Sequence, residues 1–224
     1  LEEVKKSGII SLGGGNKSVA EAIQQRLGIP VHFVSFEEMA TVAESVDQAK
    51  VDELAEKWKK EAQKVIIDQP EETLRLSAAN YFAQKALLEK YRAEAITINC
   101  LGGFYSGKLK AYPCLGFVEL LNTGLVGACE ADLPSTLTMV IVNHLAGRPG
   151  YISDPVIDTS KREIVYAHCV ATAKPFGPQG PANAYEILTH SEDRRGASVR
   201  SFLPIGYLTS TMEIYPDQQK ILFH

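Results

Sequence analysis

A chain of 224 residues, 45% of them hydrophobic, can bury a sizeable core as one large domain or two modest ones. Its formal net charge of -4, with Lys, Arg, Asp and Glu interspersed, leaves no basic stripe to neutralise a phosphate backbone, which argues against nucleic acid as a partner. The longest apolar runs, such as Leu137 to Val142, fall far short of the roughly 20 residues of a membrane-spanning helix, and charges crowd Leu1 to Lys6 where a secretory signal would be apolar, so a cytoplasmic protein without membrane attachment is expected.

Gly8 to Leu12 reads as a strand, Gly13-Gly14-Gly15-Asn16 as a turn, and Ser18 as the N-cap of a helix over about 19–27. Val31 to Ser35 completes a β-α-β unit and hence a parallel sheet. From Asp47 to Lys64 the pattern is helical, with Val51, Leu54, Trp58, Ala62 and Val65 on one face. Pro70-Glu71-Glu72 starts a further helix that runs to about Arg92, with Pro in its first turn and acids at the positive end of its dipole. Ala95 to Asn99 is the next strand. The glycine turn after the first strand lacks both the P-loop and the Gly-x-Gly-x-x-Gly spacing, so it is a weak phosphate cradle.

After Val126 the texture changes. A helix over about 135–145 is stopped by Gly147 and Pro149, and short β runs follow at 164–168, 184–189, 198–202, 208–214 and 220–223. The expected class is α/β, a doubly wound parallel-sheet domain over 1–125 followed by an α+β domain over 126–224 rich in antiparallel or barrel-like strands. The first residue is not Met, and Lys220 to Phe223 reads as a strand in mid-sheet, so the sequence reads as part of a longer one.

Cys100, Cys114, Cys129 and Cys169 lie in separate segments without a CxxC pair; spacing rules out a zinc ribbon or thioredoxin motif and leaves buried, reduced thiols. Glu130 and Asp132 are two apart in an apolar setting. Asp132 precedes Leu133-Pro134-Ser135 as a helix cap, which leaves Glu130, between Cys129 and Ala131, as the better ligand candidate. Asp154-Pro155 initiates a turn, and Asp158 a hairpin turn. His168 and His190 each end a β run, where a satisfied core histidine is the ordinary explanation, while His32 and His144 look like plain sheet and helix residues. Taken together, Glu130, Asp154 and His168 put two carboxylates and an imidazole at strand or turn ends, the donor set of a hard divalent cation. The glycine-rich loop that leaves the strand at Asn99, with Tyr105 and Lys108, reads either as a substrate-contacting loop or as a plain mobile connection, and His190 is a further substrate candidate.

Asn99-Cys100, Tyr112-Pro113-Cys114-Leu115 before a helix ending Leu121-Asn122-Thr123-Gly124, Cys129-Glu130-Ala131-Asp132 before Leu137-Thr138-Met139, and Tyr166-Ala167-His168-Cys169 together resemble the L-fucose isomerase and L-arabinose isomerase superfamily. The resemblance is strongest from about Ile96 to His190. It implies aldose–ketose isomerisation of a pentose or 6-deoxyhexose with Mn2+ or another divalent metal such as Mg2+, and a homo-oligomer, hexameric or trimeric. It also implies that Glu130 and Asp154 bind the metal and serve as the acid/base pair, and that His168 matches a site histidine of the arabinose-type enzymes. The fucose-type enzymes take a ligating histidine from nearer the C-terminus, and the family's amino-terminal domain completes a neighbouring pocket; neither has a counterpart in this sequence. The alternative in another class is an inactive sugar-binding or scaffolding homologue, which has no reason to keep a tight divalent site.

Overall fold

A computed structural model describes residues 2–224; Leu1, at the head of the charged amino-terminal run, lies outside them. Helix α1 (Glu2–Lys6) leads into β1 (Gly8–Leu12). Asn16 then caps α2 (Lys17–Leu27), its side-chain oxygen accepting from the Ser18 and Val19 amides. Ser18 is therefore not the cap; its hydroxyl donates to Asn16 at 2.8 Å. Strand β2 (Val31–Val34) ends at Ser35, which caps α3 (Phe36–Glu44), a helix not expected from the sequence. Asp47 caps α4 (Gln48–Glu61), which buries Val51, Leu54 and Trp58 as their spacing predicts. Val65 is not on that face; it opens β3 (Val65–Ile66). There follow α5 (Pro70–Tyr91), β4 (Ala93–Ile98), α6 (Cys100–Tyr105), α7 (Cys114–Asn122), β5 (Val126–Cys129) and α8 (Leu133–Ala146). Asp132 caps α8 by accepting from the Ser135 amide at 3.1 Å, as read from the sequence, and Gly147 closes it at a φ of 63°.

The central sheet has the order β2-β1-β4-β5, all parallel. Alternation sorts its side chains into two cores. Ile10, Leu12, Ile96, Ile98 and Cys129 face α3, α4, α5 and α7. Ile9, Val31, Ala95, Val126 and Ala128 face α2 and α8. Helices thus cover both faces, and each fully buried aliphatic side chain contributes about 1.5–3 kcal/mol.

Beyond α8 the strands are β6 (Asp154–Asp158), β7 (Glu163–Ala167), β8 (Tyr185–Leu188), β9 (Ser198–Ser201), β10 (Met212–Tyr215) and β11 (Lys220–Phe223). They do not form a barrel. β6 pairs with β7 and β10 with β11 in two antiparallel hairpins, so Lys220–Phe223 lies in a two-stranded ladder. Asp154-Pro155 begins a strand, whereas Asp158 does make the hairpin turn, accepting from the Ser160 and Lys161 amides. The break read at 125/126 falls inside the parallel sheet, whose fourth strand is β5. Moreover β3, from the first part, pairs with β8 from the second, and Val170, Ile187 and Val199 share one core with Leu115 and Phe117. No helix among the described residues is long and apolar enough to cross a membrane.

One close approach holds α7 against β5. A Cβ on Gly127 would lie 2.6 Å from the Phe117 Cα, a backbone atom that cannot turn aside. Gly127→Ala is expected to cost about 1–3 kcal/mol, read as a lower urea midpoint at unchanged slope. An unaltered midpoint would mean that α7 can retreat freely.

Candidate active site

The carboxyl ends of β4 and β5 form one rim of a cavity of about 430 Å³, and the hairpin β6–β7 with β8 and β9 forms the other. Its walls include Cys100, Glu130, Tyr151, Asp154, His168 and His190. Between β5 and the α8 cap the chain has two residues in which to turn. Glu130 and Ala131 take left-handed φ values of 67° and 54°, each costing roughly 1–2 kcal/mol for a residue with a Cβ. The Ala131 amide donates to the Ile98 carbonyl at 3.1 Å and holds the turn against β4. Strain of this kind clusters at active sites and ligand clamps, which makes Glu130, at a strand end that opens on a cavity, a candidate functional position.

Asp154 reaches the same place from the hairpin. It pairs with Ala167 across the ladder, so His168, the next residue, stands beside it. The Tyr151 hydroxyl clamps the backbone there, accepting from the His168 amide at 2.7 Å and donating to the His168 carbonyl at 3.3 Å. His168 Nε2 is 3.8 Å from Glu130 Oε1 and 3.8 Å from Asp154 Oδ2. One donor atom from each of the three lies within 4.8 Å of the others. Burial raises the Glu130 carboxyl above its ordinary value and the Asp154 charge adds to that, against the pull of His168. Burial pushes His168 down, but the Cys169 sulfur and both carboxylates outweigh it and lift the ring to about 9. Two carboxylates and an imidazole so arranged can hold a divalent cation, or pass a proton between adjacent atoms of a bound ligand.

The remaining sequence candidates divide. His190 lines the cavity but is buried, stacked on Tyr112 at 4.5 Å, with Tyr112 stacked on Phe104 at 3.9 Å. Tyr105 and Lys108 do not line it: the first half of their loop is helix α6, and Lys108 pairs with Glu37 at 3.2 Å. The glycine turn after β1 is tied to its own surroundings, Ser11 donating to the Gly14 carbonyl at 2.6 Å and Asn99 to Gly13 at 3.3 Å, while Asn16 already occupies the first amides of α2. Nothing in the sequence pointed to Tyr151. Nor did spacing suggest that the cysteines meet, yet Cys169 Sγ lies 3.5 Å from Cys114 Sγ and 3.8 Å from Cys129 Sγ. The one available signal was that Cys100 and Cys129 sit at the carboxyl ends of neighbouring parallel strands.

No known protein-family profile matches the chain. It is similar to a protein from Priestia aryabhattai named sulfoquinovose isomerase, 25% identical over 84% of this chain and 42% of that protein. A protein of the same name from Alkalicoccus urumqiensis is 30% identical over 66% of this chain and 33% of its own length. Another, from a Clostridium strain, is 34% identical over 83 residues. The chain spans less than half the length of these curated relatives, and what it has in common with them is similarity to proteins that carry the name of a sugar isomerase.

Proposed function

We propose that this chain belongs to a metal-dependent aldose–ketose isomerase that works through an ene-diol. The observation that carries the reading is the meeting of Glu130, from one rim of an open cavity, with Asp154 and His168 from the other, each with a donor atom within 4.8 Å of the others. Similarity to proteins named sulfoquinovose isomerase supports the same class.

The donor set fits Mn2+ or Mg2+: two carboxylates and one imidazole are hard to borderline ligands, and both acids keep a face toward the cavity where sugar oxygens can complete a coordination shell. Such a cation, when bound, polarises the carbonyl and hydroxyl oxygens of the sugar and stabilises negative charge as it develops. The chain's own residues supply the proton transfers. Glu130, whose carboxyl burial holds above its ordinary value, takes the proton from C2 and Asp154 across the site delivers one to C1, while the hydroxyl proton on O2 passes to O1 and exchange with solvent resets the pair. Tyr151 fixes the backbone on which His168 stands.

The substrate class widens from pentoses and 6-deoxyhexoses to hexoses carrying a sulfonate at C6, in line with the relatives' name. Arg200, ion-paired with Glu186, is the one guanidinium or ammonium group among the described residues on the cavity wall. We also propose that the complete protein is a homo-oligomer, since the cavity is open along one side and the β6–β7 hairpin leaves Val156, Ile157, Ile164 and Val165 exposed beside it.

In heavy water, the Mn2+-loaded full-length protein is expected to place deuterium at C1 of the ketose product or at C2 of recovered aldose, with pentoses, 6-deoxyhexoses and sulfoquinovose as the panel. Full retention of the original hydrogen would indicate hydride shift instead. Absence of turnover with every aldose would favour the binding-only alternative.

A further inference from the structure

Behind the wall that carries His168, four segments distant in sequence bring their sulfurs together. Cys100 opens α6, Cys114 opens α7, Cys129 ends β5 and Cys169 follows β7, and all four are free thiols. Buried cysteines usually serve as small apolar residues. These do more than fill space. Cys169 Sγ is 3.5 Å from Cys114 Sγ, and those two sulfurs and a ring nitrogen of His190 all lie within 4.8 Å of one another. Two thiolates on a tetrahedral zinc, each at about 2.3 Å from it, stand about 3.8 Å apart. The pair is therefore already near the separation that such a cation imposes.

The third donor is held in place. His190 is the end member of the Phe104–Tyr112–His190 stack, and its Nδ1 lies 3.9 Å from Asp193 Oδ1. Asp193 is in turn fixed by the Tyr112 hydroxyl at 2.6 Å and the Arg195 amide at 3.1 Å. The aromatic stack orients the ring, and Asp193, beyond hydrogen-bond reach of Nδ1, places a negative charge behind it. Access also exists, because Cys169 and His190 both line the cavity while Cys114 lies buried beneath them.

We propose that Cys114, Cys169 and His190 form a second cation site, for a thiophilic d10 ion such as Zn2+, with its fourth position facing the cavity. Binding releases the two thiol protons to solvent. The donors are soft where Glu130 and Asp154 are hard, so the two sites select different metals. Cys129 and His168 make an overlapping set with Cys169. That set would take His168 through Nδ1, 3.3 Å from Cys169 Sγ, while its Nε2 faces the two carboxylates; a ring with a cation on each nitrogen must give up both its protons, so the Cys114 set is the one filled more readily beside the carboxylates. The proposal stands on these distances and does not depend on the isomerase reading.

The test uses the reduced full-length protein with Mg2+ in excess to occupy the carboxylates, titrated with Co2+ and then Zn2+. One equivalent of Co2+ should produce a thiolate-to-cobalt charge-transfer band in the near ultraviolet, which Zn2+ abolishes. Cys114→Ala and Cys169→Ala should remove the band, while Cys129→Ala and Glu130→Gln keep it. Zinc-edge X-ray absorption on the unsubstituted protein gives a second measure that no folding defect can confuse, a sulfur shell at about 2.3 Å. A shell of nitrogen and oxygen alone, or a band that survives Cys114→Ala but not Cys129→Ala, overturns the proposal. Loss of isomerase activity in Glu130→Gln with the band intact would bear on the first site only.

Discussion

Glu130→Gln is expected to lower turnover of the full-length protein by about 10²–10⁴-fold, the range that a positioned general base contributes, and to abolish the rise in Tm expected on adding Mn2+. The substitution keeps the shape of the side chain and removes both its negative charge and its ability to take a proton. Without metal the fold should not suffer. Burial holds the Glu130 carboxyl above its ordinary range despite the pull of His168, with the Asp154 charge adding to the rise, so the relief of burying a neutral group offsets the lost attraction to His168. A cation at about 100 times its Kd adds about 2.7 kcal/mol to the wild type, and that increment is what the variant should lose. Calorimetry with and without Mn2+ checks it together with an activity assay. A variant that still answers to Mn2+ as the wild type does, alongside an equally responsive Asp154→Asn, would remove both residues from the metal site.

The largest effect on stability is expected from Phe117→Ala, at about 3–5 kcal/mol. Phe117 is fully buried on α7, pressed on Gly127 of β5, in the core that also takes in Val170, Ile187 and Val199. A cavity there cannot easily collapse, because the sheet and α5 confine the helix from both sides. Guanidinium unfolding should show a lower midpoint at constant slope, and Tm should fall by about 2–4 °C per kcal/mol for a chain of this size. A loss under about 1 kcal/mol, less than a typical core truncation, would show that the two parts of the chain do not share the core. Two separate transitions in the wild type would say the same.

Local signals made much of the parallel layer readable. Gly8–Leu12, the turn after it and the next helix follow from β-rich composition and glycine, and Asp132 and Gly147 bracket α8 by capping chemistry alone. Errors arose where long-range pairing overrode local pattern. Val65 continues the helical spacing of α4 but is drawn into β3 by its partner Ile187, more than a hundred residues away in sequence. Asp154-Pro155 has turn chemistry, yet the ladder to Tyr166 and Ala167 makes it a strand. Of the site, Glu130 could be singled out because a carboxylate between Cys129 and Ala131 lacks a structural excuse. Tyr105 and Lys108 could not be rejected, since only the folded chain reveals that Glu37 holds Lys108 away from the cavity. The convergence of four cysteines is a property of topology and leaves no trace in their spacing.

Asp154 and His168 ride on a two-stranded ribbon and the residue after it, whereas Glu130 issues from the rigid edge of the main sheet. Val156 and Ile157 of that ribbon are 60% and 71% exposed, and an isolated hairpin is only marginally stable in water. If the proposed site holds its cation, the affinity would therefore include a conformational factor, the fraction of molecules whose ribbon lies ordered against the cavity. Anything that covered those apolar strand faces would then tighten metal binding by raising that fraction without touching a ligand. The metal would in turn strengthen whatever covered them by the same factor, so that occupancy of the proposed site and burial of the ribbon would be thermodynamically reciprocal.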